Sequence, residues 1–241
     1  MNLIDNSLKF DLNQFFNAAN LKNNPSPHIY WDKALPQGFY DQVMNNLPDE
    51  SLFESIGKRT GNIRAKKSRS TINLVTGSSF PLMSDKQRYF WKKVQEVFLS
   101  AAFAGRVLGL YSPILKTVCP HINQDSNFYI KFELLKDRTG YGIGPHTDHP
   151  KKVLTIMFYL DSSNGGNTLG TSLYKPKIEN FTDTTGRHFE YEDFDEVYRA
   201  EFKQNSAFSF LRTNNSFHGV NVVKAENVER NVMRWMLWLA K

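Results

Sequence analysis

With 241 residues, 40% of them hydrophobic and 14% aromatic, the chain can pack one large domain. No run reaches the roughly 18 apolar residues of a membrane span. The start "MNLIDNSLKFDLNQFF" lacks the basic-then-apolar order of a signal peptide, and the lone Cys119 excludes an intrachain disulfide, so a cytoplasmic setting is expected. The net charge of +6 owes much to "KRTGNIRAKKSR" (Lys58 to Arg69), six basic residues with no acid and no interleaved aromatic, which reads as a solvated loop rather than a single-strand binding surface.

Taken in order, "NNPSPH" (Asn23 to His28) is a turn, and "PQGFYDQVMNNLP" is a short helix with Phe39, Val43 and Leu47 on one face. "RSTINLV" (Arg69 to Val75) alternates as a strand. Ser84 and Gln87 form a capping box for a helix whose apolar face is Phe90, Val94, Val97, Phe98 and Ala101, with Gly105 as its expected stop. These elements form a largely helical support region over about residues 1–118. From about residue 119 to 241 the runs become short, β-branched and aromatic: "NFYIKFELL", "KKVLTIMFYL", "GTSLYKP", "SAFSFL", "GVNVV" and "RNVMRWMLWLA". Short strands separated by turns predict a sandwich or barrel, so the whole chain reads as a single, mainly β domain with flanking helices. The charged stretch Lys175 to Gln204, with its acidic "EYEDFDE", is expected to hold a helix or act as a lid.

"GPHTDHPKKVLTIMFYL" (Gly144 to Leu160) carries the chemistry. In extended chain, His146 and Asp148 point to one face, with Thr147 and His149 away from it. A third ligand has to come from a returning strand, and "NNSFHGVNVV" supplies His218. Two imidazoles and one carboxylate form the facial triad suited to Fe(II), with open positions left on the metal. His149 reads as structural. Twelve positions after His218 stands Arg230, with Arg234 on the same strand face; a guanidinium there suits the carboxylate of an acidic small molecule. Arg234 stays an alternative to Arg230.

The marks "HTD", "VLTIMFYL", "GGNTLGTSLY", "SFHGV" and "RNVMRW", spread over roughly Asn127 to Trp238, resemble the Fe(II)/2-oxoglutarate-dependent oxygenases, particularly their prolyl-hydroxylase-like branch. The resemblance implies a double-stranded β-helix, a cupin-like jelly roll. It implies Fe(II) held by His146, Asp148 and His218, with 2-oxoglutarate as cosubstrate and O2 as oxidant. It implies that Arg230 and Tyr159 bind the distal carboxylate of 2-oxoglutarate, and that Gly165, Gly166, Gly219 and Val220 stand at the family's glycine and H-G-V positions. The implied reaction hydroxylates a small molecule, an amino acid or a peptide side chain, releasing succinate and CO2. Asp148 argues against a halogenase, whose otherwise similar site lacks the carboxylate. The alternatives are a nucleic-acid demethylase of the same chemistry, which "RNVMR" matches poorly, a cupin of another activity, and a non-catalytic β-helix that only binds. No membrane partner is expected.

Overall fold

The computed structural model describes residues 20–56, 68–77, 79–123, 125–161 and 166–240. The start of the chain, Gly165 and nearly all of the basic segment lie outside them; Ser68 and Arg69 of that segment are described.

Eleven strands are present among these residues: β1 (His28–Trp31), β2 (Glu54–Ser55), β3 (Arg69–Asn73), β4 (Phe128–Arg138), β5 (Ile143–His146), β6 (Lys152–Tyr159), β7 (Ser172–Pro176), β8 (Phe194–Arg199), β9 (Ser206–Leu211), β10 (His218–Val220) and β11 (Glu229–Leu239). They form two antiparallel sheets, one in the order β1-β9-β6-β11-β4-β3-β2, the other β5-β10-β7-β8. From β4 onward the chain passes back and forth between the sheets, with β7 and β8 forming a hairpin within the small one, and this winding is the double-stranded β-helix. The region before residue 119 is not only helical support: β1 extends one side of the large sheet, and β3 with β2 extends the other.

The helices α1 (Gln37–Asn45), α2 (Asp85–Phe98), α3 (Ala101–Leu110) and α4 (Ser112–Val118) accompany the large sheet. Its outer face contributes Phe132, Ile156, Phe158, Met233, Trp235 and Leu237 to the main core, where they meet Val43, Trp91, Val94, Phe98 and Phe103 of the helices. Phe98 is the hub, stacked on Phe132 at 5.1 Å and edge-on to Phe158 at 5.7 Å. Such pairs add about 0.5–1.5 kcal/mol each beyond area burial. The indole N–H of Trp235 donates to the Phe98 carbonyl (2.7 Å), satisfying that helix end.

The capping box at Ser84 and Gln87 forms as expected. Gly105 does not end the helix. The break comes earlier, because Ser100 turns extended and caps a new helix by accepting from the Phe103 N–H (3.1 Å); Gly105 then lies inside α3. The stretch Lys175 to Gln204 holds only one short 3-10 turn, Tyr191–Asp193, and its acidic part runs into β8 on the edge of the small sheet. The exposed run Asp195, Glu196 and Val197 fits an edge strand, and exposed charge there discourages further pairing.

Candidate metal centre and its pocket

Strand pairing arranges the barrel-facing side chains of the large sheet in rows. From the closed end these are Arg69–Asp137–Arg230, then Leu135–Val232–Tyr159, then Glu133–Arg234–Met157, then Lys131–Met236–Thr155, and last Tyr129–Trp238–Lys152. Successive rows are about 7 Å apart, the rise of two extended residues.

The small sheet faces these rows with His146 at the end of β5 and His218 at the start of β10, direct cross-strand partners. Gly219 is required beside His218: a Cβ there would lie 2.4 Å from the Ile143 carbonyl oxygen, so only glycine lets β5 and β10 close up. The ring centroids of His146 and His218 are 4.3 Å apart. Asp148 completes the group, with Oδ2 3.7 Å from His218 Nε2. One ligand atom from each of the three residues lies within 4.8 Å of the other two, and all three residues are buried.

The geometry of the second nitrogens suits a cation. His146 Nδ1 lies 2.9 Å from the Gly144 carbonyl, and His218 Nδ1 2.9 Å from the Ser216 carbonyl. Each Nδ1 therefore carries the proton and donates, which leaves both Nε2 lone pairs for a metal. Burial lowers the pKa of both imidazoles, His146 further because His218 is beside it, so both are neutral. Burial alone would raise the Asp148 pKa, but the Lys152 ammonium, which also donates to it, outweighs burial and holds the carboxylate ionised. Lys152 Nζ donates to Asp148 Oδ1 (2.5 Å) and the Thr155 hydroxyl to Oδ2 (3.2 Å). Arg212 Nε donates to the Asp148 backbone carbonyl (3.1 Å). As the sequence pattern requires, Thr147 turns away and donates to Asp183 (2.8 Å), while exposed His149 packs on Trp238.

A small pocket opens on this group. Its cationic lining is Arg69, Lys152 and Arg234, and Ile143, Met157, Phe210 and Val220 are among its apolar walls. Arg230 and Tyr159 are not in the lining. Arg230 is fully buried on the opposite side of Asp137 from Arg69; its Nη1 donates to Asp137 (2.6 Å) and its Nε to the Leu169 carbonyl (2.7 Å), leaving Nη2 without an acceptor. The Tyr159 hydroxyl donates to Thr171 Oγ1 (2.9 Å) and accepts from the Thr171 N–H (3.0 Å), and Thr171 stands between it and the pocket. Arg234 is bonded to Glu133 through one nitrogen, while its Nε is buried with no acceptor.

Sequence reasoning missed three neighbours of the site. Arg69 reaches the pocket because β3 pairs in register with β4, a long-range contact with no local signature. Lys152 was visible only as part of "PKK". His188 stacks on His146 at 4.4 Å and 16°, brought there by the connection between β7 and β8.

No family model matches the chain, and no curated protein matches it in sequence. Among solved structures it is similar to the non-heme alpha ketoglutarate dependent carbocyclase SnoK from nogalamycin biosynthesis, with TM-score 0.52 and 9% identity over 88% of this chain and 79% of that one. It is also similar to an oxidoreductase of the 2OG-Fe(II) oxygenase family from Burkholderia pseudomallei (TM-score 0.49, 12% identity, 88% and 85% covered). A Pseudomonas putida prolyl-4-hydroxylase follows (TM-score 0.45, 11% identity, 89% and 92% covered). The fold is thus the jelly roll found in the 2-oxoglutarate and iron oxygenases. Among the described residues no helix is long and apolar enough to cross a membrane.

Proposed function

We propose that the protein is an Fe(II)- and 2-oxoglutarate-dependent dioxygenase that hydroxylates a small molecule, an amino acid or a peptide side chain. One observation carries the reading: two imidazoles with their Nε2 atoms free and one ionised carboxylate converge within 4.8 Å beside a pocket with cationic walls. In the overall reaction substrate C–H, O2 and 2-oxoglutarate give substrate C–OH, succinate and CO2. Iron, when bound, supplies the redox chemistry that couples O2 reduction to this decarboxylation.

The chain's own residues do the rest. His146, Asp148 and His218 hold the cation. Lys152 and Thr155 fix the plane of the Asp148 carboxylate. Met157, Phe210 and Val220 keep water from the reacting centre. For the distal carboxylate of 2-oxoglutarate the geometry favours Arg234, which lines the pocket one row deeper than Thr155, with Arg69 beyond it. Arg230, the first candidate from sequence, stands two rows deeper than Arg234 and is already engaged by Asp137, which it shares with Arg69; with Tyr159 it braces the closed end.

Calorimetric titration with Fe(II) under anaerobic conditions, or with Ni(II), tests the centre. One ion per chain, and loss of binding in Asp148→Ala, is expected, together with O2-dependent succinate formation by the wild type. A wild-type chain that binds no metal, or that binds it equally well without Asp148, would overturn the reading. Metal binding without succinate formation across a broad panel of candidate substrates would favour the binding-only alternative, and stimulation by oligonucleotides would favour the demethylase.

A further inference from the structure

The last row of the large sheet, Tyr129–Trp238–Lys152, lies at the open end of the barrel. Tyr129 is 42% exposed and stacks on Trp238 at 6.0 Å and 25°. Lys131 Nζ stands 4.1 Å and Lys152 Nζ 5.5 Å from the centre of the Trp238 ring, and the His149 ring packs at 5.5 Å. The indole N–H of Trp238 is buried with no acceptor. Lys131, Lys151 and His149 are exposed, and neither Lys131 nor Lys151 has a carboxylate partner among the described residues.

This surface is continuous with the candidate metal centre. The same Lys152 amine that faces Trp238 donates to Asp148, and His149 follows Asp148 directly in the chain. Of the nearby carboxylates, Asp148 is engaged by Lys152, and Glu133 by Arg234. What remains at the mouth is uncompensated positive charge around an aromatic pair. Aromatic faces select planar rings, and clustered ammonium groups select anions.

We propose that this platform is the subsite for the prime substrate, and that the substrate is a small anionic molecule with a planar ring, an aryl or heteroaryl group bearing a carboxylate or phosphate. The ring lies against Tyr129 and Trp238, and the anion meets Lys131. The assignment rests on the oxygenase reading for its role in turnover, but the binding it requires is independent of the metal.

The experiment therefore measures binding without turnover. Phenyl phosphate, phenylacetate, inorganic phosphate and phenol are titrated into wild-type protein, with and without Ni(II), following the indole N–H resonance of Trp238, identified by its absence in Trp238→Phe. Phenyl phosphate or phenylacetate should saturate one site at least tenfold more tightly than inorganic phosphate or phenol, and shift that resonance. The tighter of the two distinguishes phosphate from carboxylate. Lys131→Gln, a change to an exposed side chain, should weaken this binding about fivefold and leave Ni(II) affinity unchanged. Ring-bearing anions that bind no better than inorganic phosphate, or binding insensitive to Lys131→Gln, would overturn the proposal. So would an oligonucleotide that binds far more tightly than any monomer. Failure of metal binding would count against the oxygenase reading alone.

Discussion

The two ends of β11 face the same barrel but handle charge in opposite ways. At the closed end Arg230 and Arg69 flank Asp137 in cross-strand register, three charged groups with little or no exposure. Burial alone would raise the Asp137 pKa, yet the two guanidiniums hold it below its ordinary value. At the open end Lys131 and Lys152 stand over the Trp238 ring, and the one carboxylate there, Asp148, is bonded to Lys152. A buried charge must be matched within the protein, whereas an exposed one is free to be matched by something else. The first arrangement is architecture, and the second is available for recognition.

The sharpest way to break this contrast is at its closed end. Asp137→Ala leaves two guanidiniums facing each other in the core and should cost about 3–5 kcal/mol of stability, read as a lower denaturant midpoint. A loss below about 1 kcal/mol would mean that this end is wetter than its burial indicates. Midway along the strand the expectation divides. Arg234→Ala should raise the apparent KM for 2-oxoglutarate about 30-fold or more, as about 2 kcal/mol or more of charged hydrogen bonding is lost; because it also takes a partner from the buried Glu133, some loss of stability accompanies it. Arg230→Ala should do the reverse, lowering the unfolding midpoint more than it alters KM. If the KM effect falls on Arg230 instead, the closed end binds cosubstrate and the architectural reading of that row fails.

A smaller effect is expected beside the metal centre, at the Asp183 turn. Burial would raise this carboxyl, but the hydroxyls of Thr185 and Thr147 and the Gly186 N–H bring it down to about 2. Gly186 has φ +79, and a Cβ there would meet the Asp148–His149 peptide at 3.0–3.1 Å, so the turn is fitted to the ligand segment. Because the folded pKa is below the unfolded value of about 3.9, the stabilisation is present above about pH 4 and is lost as pH falls toward 2. Asp183→Asn should therefore cost about 1–2 kcal/mol at pH 7, with the difference from wild type shrinking through that acidic window. A difference that stays constant with pH would remove the charge from the explanation. Smallest of all, Lys131→Gln at the open end should alter stability by no more than about 0.5 kcal/mol; a larger loss would show that the mouth, too, is architecture.

The contrast also explains what could be read from sequence. The convergence of His146, Asp148 and His218 was legible because its spacing is local on one side, i and i+2 across β5 and the turn after it, and because His218 opens a recognisable strand. The capping box at Ser84 was legible for the same reason. The choice between Arg230 and Arg234 was not, since both share a strand face and only pairing with β4 and β6 sets their depths. Arg69 and β1 join the large sheet through partners far along the chain, and β8 hides in an acidic run because an edge strand needs few apolar residues. The break at Ser100 was overlooked because a serine cap inside an apolar periodic run competes quietly with a visible glycine.

The placement of β1 has a consequence for the order in which the chain can fold as it is made. Apart from a local bridge between His28 and Lys22, His28–Trp31 pairs among the described strands only with β9, whose register runs from Ala207 to Phe210. During synthesis the edge that this early strand presents to β9 must wait unpaired until most of the barrel has left the ribosome. The buried Ile29 and Trp31 wait with it. Closure of the large sheet is thus a late, long-range event that favours slow folding and exposes an adhesive edge until it is complete.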